Sequence, residues 1–164
     1  MKIVVVSDTH MPNKAIQLPN RLVHELTTAD QIIHAGDWQT IDVYKNLEQY
    51  APVSGVAGNV DGSQIKELFP DKTTICVNGF QIGIVHGHGM KKTTEKRAEE
   101  AFETPLDCIV FGHSHIPYLR YAGKTLLFNP GSATDKRKLP FYSFGVLTVT
   151  EEIRAEHIFY KQKE

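Results

Sequence analysis

The stretch KIVVVSDTH, residues 2–10, opens on a near-continuous Ile/Val run and closes on an aspartate and a histidine. A β-branched run without polar alternation is what a strand buried on both faces requires, as in a parallel sheet covered by helices. The tail SDTH marks where the strand stops, since Ser, Asp and Thr all favour turns and caps. Read alone, that tail is a strand-to-loop exit with a solvated histidine. The pattern recurs along the chain, and its recurrence decides the fold.

Pro19 suits the first turn of a helix whose apolar face is Leu22, Val23 and Leu26. Residues 31–35 read as a second strand and residues 53–57 as a third. Between them Thr40 is an N-cap for a helix running to about residue 50, with Ile41, Tyr44 and Leu47 at helical spacing. Residues 73–77 and 80–85 flank Asn78-Gly79, a strong hairpin signal. A helix is expected over residues 94–103 with Ala98, Ala101 and Phe102 inward, stopped by Thr104-Pro105. Residues 107–111 form another strand, residues 118–121 and 125–128 a hairpin, and residues 141–149 and 153–160 a closing antiparallel pair. The order is α/β, with parallel strands first and hairpins later.

Chemistry collects where these strands end. IVVVSDTH delivers Asp8 and His10, IIHAGD delivers Asp37, and VSGVAGN delivers Asn59. IGIVHGH delivers His86 and His88, CIVFGHSH delivers His113 and His115, and LLFNPGS delivers Asn129. Ligands of α/β sheets gather outside the carboxyl ends of strands, so these side chains can converge. HGH or GHSH alone is a weak sign of metal binding. Together they make a nitrogen- and oxygen-rich set without thiolate, suited to Mn²⁺, Fe, Zn²⁺ or Ni²⁺ rather than Ca²⁺. The set exceeds what one tetrahedral ion needs, and two ions sharing a carboxylate would use it. His24, His34 and His157 read as exposed or structural histidines, and Trp38 as either a pocket floor or a core aromatic.

The 164 residues suit a single domain over 1–164, with 41% hydrophobic and 23% charged residues. Eighteen basic against nineteen acidic side chains give a net charge of -1, so nucleic acid is not the expected partner. Cys76 and Cys108 sit in apolar runs and are expected as buried thiols without a disulfide. No stretch reads as a signal peptide or membrane span, so a soluble, cytoplasmic protein is expected. The sequence leaves the oligomeric state open.

The ordered motifs D-x-H, G-D, G-N-x-D, H-G-H and G-H-x-H, from Asp8 to His115, resemble the signature of the calcineurin-like metallophosphoesterases. NPGS, from Asn129 to Ser132, further resembles their compact bacterial and archaeal phosphodiesterase subgroup. The resemblance implies two facing mixed β-sheets flanked by helices, a four-layer αββα sandwich. It also implies that Asp8, His10 and His115 bind one divalent transition-metal ion, while Asn59, His86 and His113 bind a second. Asp37 would bridge both ions, of which Mn²⁺ is the first expectation and Ni²⁺, Fe and Zn²⁺ are alternatives. The implied activity is hydrolysis of a small phosphodiester by a metal-bridging hydroxide. The alternatives are a phosphomonoesterase with the same metals and a non-catalytic interaction module, as in the retromer subunit of this fold. Many family members have G-N-H-D, whose histidine protonates the leaving group or contacts the phosphate. Here Val60 takes that place, and His88 is the candidate acid, with a ligand-orienting role as its alternative.

Overall fold

The computed structural model describes residues 1–164. Ten strands and four helices follow one another as β1 (Lys2–Val6), α1 (Asn20–Leu26), β2 (Gln31–His34), α2 (Ile41–Leu47), β3 (Val53–Gly55), α3 (Ser63–Leu68), β4 (Lys72–Val77), β5 (Phe80–Val85), α4 (Thr94–Glu100), β6 (Cys108–Val110), β7 (Tyr118–Ala122), β8 (Thr125–Asn129), β9 (Tyr142–Val149) and β10 (Ile153–Tyr160). They build two five-stranded sheets, ordered β10-β9-β1-β2-β3 and β4-β5-β6-β8-β7. Both are mixed. In the first, β1, β2 and β3 are parallel while β9 and β10 run antiparallel. In the second, β5, β6 and β8 are parallel, and hairpins add β4 and β7 at the edges.

The run in β1 shows why the layers stack. Its alternate residues point to opposite faces of the sheet, as in any strand. Ile3 and Val5 face the second sheet, where they pack with Ile82, Ile84, Cys108, Val110 and Phe128. Val4 and Val6 face outward against Leu22 and Leu26 of α1, Val43 and Leu47 of α2, and Ile65 of α3. Across the second sheet, Ile109, Phe111 and Leu127 pack on Ala98 of α4. The result is the expected four-layer sandwich, α1–α3, sheet, sheet, α4. Burying a Val or Ile side chain contributes about 1.5–3 kcal/mol, so both faces of β1 drive assembly.

Most expected elements recur with ends shifted by one to three residues, the usual frailty of element termini. The Asn78-Gly79 turn takes left-handed dihedrals at both residues, φ +49° and +85°, which a two-residue hairpin demands. α3 was not anticipated from the sequence. Its segment SQIKEL buries only Ile65, so it carries no helical periodicity. Cys108 is buried and its thiol pushed up to about 12 by burial and the nearby Asp107 charge. Cys76 corrects the expectation, because it is exposed. On edge strand β4, Cys76 points away from the inter-sheet face that Ile75 and Val77 pack toward. No helix is long and apolar enough to cross a membrane.

Candidate metal centre

The loops after β1, β2, β3, β5 and β6 meet at one end of the sandwich. Backbone hydrogen bonds zip the first two together past their strands, from Asp8 N to Gly36 O (3.0 Å) and from His10 N to Asp37 O (3.0 Å). Gly112 N reaches His86 O at 3.1 Å and ties the β5 and β6 exits in the same way. Five of the candidate ligand residues there adopt left-handed backbone: Asp8 (φ +54°), His10 (+44°), Asp37 (+59°), His113 (+70°) and His115 (+61°). Such conformations cost on the order of 1–3 kcal/mol each in a non-glycine residue and persist where the surroundings over-determine them, typically at functional sites. Glycine allows the close approach. A Cβ at Gly58 would drive into the Asp37 carboxylate, and one at Gly112 into Ser7 Oγ.

Two adjacent groups result, Asp8 with His10 and His115, and Asp37 with His86 and His113, each able to hold a metal ion with ligand atoms within 4.8 Å of one another. They touch. Asp37 Oδ2 lies 3.2 Å from His86 Nε2 and 3.7 Å from His10 Nε2, so one carboxylate faces both groups. Asp8 Oδ1 is 3.6 Å from His115 Nε2 and 3.9 Å from His86 Nε2. Asn59 Oδ1 reaches His86 Nε2 at 3.1 Å. His88 joins neither group. Its exposed ring stands beside them, with its centroid 5.6 Å from that of His86 and 6.3 Å from that of His113.

Hydrogen bonds set the imidazole tautomers. His86 Nδ1 donates to Ala35 O and His115 Nδ1 to Asp135 O, both at 2.7 Å, which turns each Nε2 into the site, free on neutral His115 and available on His86 once it gives up the proton it shares with Asp37. Burial pushes the His113 and His115 protons off to about pH 4, helped by neighbouring His86 for the first and Arg137 for the second. His10 and His88 are likewise lowered, by burial first. Burial also opposes a proton on His86, but the Asp37 hydrogen bond and the Asp8 and Asp37 charges overcome it and raise this histidine. The carboxylates diverge. Burial lifts Asp8 to about 7 against the His86 charge, whereas hydrogen bonds from His86 and the Val60 N–H bring Asp37 to about 2 despite burial. His10, His113 and His115 are held neutral and His86 yields its proton when a cation binds, and such imidazoles beside oxygen donors are what divalent transition ions bind, so the donor set fits two such ions.

Other residues support this end of the fold. Asp61, the last position of GNVD, accepts N–H bonds from Gly58, Gln39 and Asp37 at 2.7–3.0 Å and fixes the Asp37 loop. Asn129 does not face the site, because its Nδ2 donates to Gly112 O and Ser114 Oγ. Ser132 Oγ donates to Asp8 O at 2.8 Å, so NPGS braces the site from behind. His34 is a buried structural histidine, accepting from Gly36 N at Nδ1 and bonded to Thr9 Oγ1 at 3.1 Å. Trp38 is a core aromatic stacked between His34 and Phe69, its Nε1 donating to Val56 O.

The sequence model of the calcineurin-like phosphoesterase superfamily domain matches residues 1–152. The chain belongs to that superfamily. Probable metallophosphoesterases are similar to it, from Methanothermobacter thermautotrophicus (33% identity, 84% of this chain and 80% of the relative) and Bacillus subtilis (32%, 99% and 92%). Vps29 of Chaetomium thermophilum shares the fold at a TM-score of 0.80 and 20% identity, over 99% of each chain. A structure described as a novel archaeal phosphodiesterase does so at 0.76 and 24%, over 98% of this chain and 100% of that one. Calcineurin-like phosphoesterases bind two divalent metal ions, and the two groups are the candidate sites for them.

Proposed function

We propose that this calcineurin-like phosphoesterase hydrolyses small phosphodiesters with two divalent ions held at the paired groups. The observation that carries the reading is the position of Asp37, whose Oδ2 faces His86 of one group and His10 of the other. Asp8, His10 and His115 would hold one ion and Asn59, His86 and His113 the other, with Asp37 the carboxylate available to both. The set suits Mn²⁺, Ni²⁺, Fe or Zn²⁺, and Mn²⁺ is taken first on the family resemblance, since raw affinity alone would favour the later ions. Divalent ions there would supply Lewis acidity toward water and phosphoryl oxygens.

The chain's own residues prepare that chemistry. Carbonyls of residues 35 and 135 hold the His86 and His115 rings with Nε2 inward, and the left-handed backbone aims the carboxylates. The rim is open. Val60 and Ile116, which follow Asn59 and His115 in the chain, are exposed. An uncapped site accepts a substituent on either side of phosphorus, which favours diesters over monoesters.

The test is an activity screen of the protein loaded separately with Mn²⁺, Ni²⁺, Fe²⁺ and Zn²⁺, on bis-aryl and mono-aryl phosphates. Faster turnover of the diester is expected. Preference for the monoester would replace the reading with a phosphomonoesterase, and bound metal without any hydrolysis would leave an interaction module.

A further inference from the structure

Of the basic residues near this end of the fold, one touches a candidate ligand atom. Arg137 Nη2 donates to His115 Nε2 at 3.1 Å. Lys92 instead pairs with Glu100, Lys136 lies over the Tyr142 ring at 5.6 Å, and Arg97 donates to the carbonyls of Gly87, Lys91 and Lys92. Arg137 is also held in place. Its backbone is left-handed at φ +49°, and its N–H donates to Asp135 Oδ1 at 3.2 Å. Asp135 in turn donates its N–H to Ser132 Oγ, which donates to Asp8 O. The guanidinium therefore stands on the same scaffold as the Asp8 loop, while its exposed side chain reaches the rim.

A guanidinium stays charged at any working pH. Here it takes the lone pair that an ion in the Asp8–His10–His115 group would use. An ion held there would compete with Arg137 for that lone pair and stand as a second cation beside the guanidinium. An anion whose oxygens reach both relieves that repulsion, and the planar fork of arginine matches phosphoryl oxygens. We propose that Arg137 is a phosphoryl-binding residue that holds the substrate's non-bridging oxygens over the Asp8–His10–His115 group. The inference rests on the phosphoesterase reading above and adds a residue that no part of the metal motif contains.

The test uses the Mn²⁺-loaded full chain, with inorganic phosphate as the calorimetric probe and metal content measured in parallel. Hydrogen bonds to charged groups are worth enough that Arg137→Ala should weaken phosphate binding about tenfold to a hundredfold. Bound metal should be unchanged at saturation. Arg137→Lys, which keeps a point charge without the fork, should fall between the two. Unchanged phosphate affinity in the Ala variant overturns the proposal, and so does loss of metal, which would make Arg137 a support of His115. A wild-type protein that binds metal but hydrolyses no ester overturns the reading beneath it. An active wild type whose Ala variant binds phosphate normally overturns the clamp alone.

Discussion

Asp37 Oδ2 stands 3.2 Å from His86 Nε2 on the seam where the exits of the two sheets meet. The same oxygen is 3.7 Å from His10 Nε2, in the neighbouring group. Replacing Asp37 with Asn keeps the shape and removes the charge that both groups face. Asp37→Asn should weaken both ions together and lower turnover by more than the roughly 10–100-fold typical of losing a residue that merely supports a ligand. His10→Ala should lose chiefly one ion. Metal content after desalting distinguishes them, and full stoichiometry with normal activity in the Asn variant would defeat the bridging role.

Asp8 makes an opposite prediction for the metal-free fold. Its folded carboxyl is raised by burial to about 7 from 3.8. A raised folded value adds stability that is fully present below pH 3.8 and is lost as pH rises through about 7. Above that pH the chelated protein carries a buried, unbalanced charge costing on the order of 4 kcal/mol at most. Asp8→Asn should therefore melt higher than wild type at pH 8 without metal, with the gap closing toward pH 4, while binding metal less well. Thermal unfolding of both chelated proteins at the two pH values checks this. A variant that melts lower at pH 8 would show that the Asn amide cannot satisfy the Ser7 hydroxyl and the His113 N–H as the carboxylate does.

Metal uptake should release protons. At pH 6, Asp8 and His86 are the groups that hold protons in the metal-free site, since burial lifts the first and the Asp37 hydrogen bond raises the second. His113 and His115 are already neutral, being lowered to about 4 by burial. Ligands bind deprotonated, so Mn²⁺ binding should release more than one proton at pH 6 and weaken steadily as pH falls below 7. Calorimetry in buffers of different ionisation enthalpy reads that number directly. Activity should vanish with chelator and return with metal; full activity after exhaustive chelation would exclude the two-ion reading.

Much of this is legible in the sequence. The strand exits were readable because an Ile/Val run ending in Asp or His combines a burial signal with a chemical one, and β1 shows both. What stayed hidden is long-range. Nothing near Arg137 in sequence marks its approach to His115, 22 residues away, and Asp61 gains its importance from three backbone N–H groups that only folding assembles. The left-handed backbone at Asp8, His10, Asp37, His113 and His115 also escaped, because Asp and His tolerate that region without announcing it. α3 was lost for want of a second inward apolar residue beside Ile65.

Val60 frames the last prediction. It is 47% exposed on the rim, and its N–H, not its side chain, serves the site by donating to Asp37 Oδ1 at 3.1 Å. A departing alkoxide needs a proton that Val60 cannot give. His88 is exposed, lies outside both metal groups, and holds its ring 5.6 Å from His86 and 6.3 Å from His113, close enough to serve an ester bound between them. General acid catalysis is typically worth about 10²–10⁴-fold and matters most when the leaving oxygen is basic. A nitrophenolate leaves without help. His88→Ala should therefore spare aryl diesters and slow alkyl or nucleoside diesters about a hundredfold or more, with metal content unchanged. Measuring both substrate types at saturating metal separates the roles. An equal loss on both, with weaker metal binding, would make His88 a support for His86 and leave the proton to solvent.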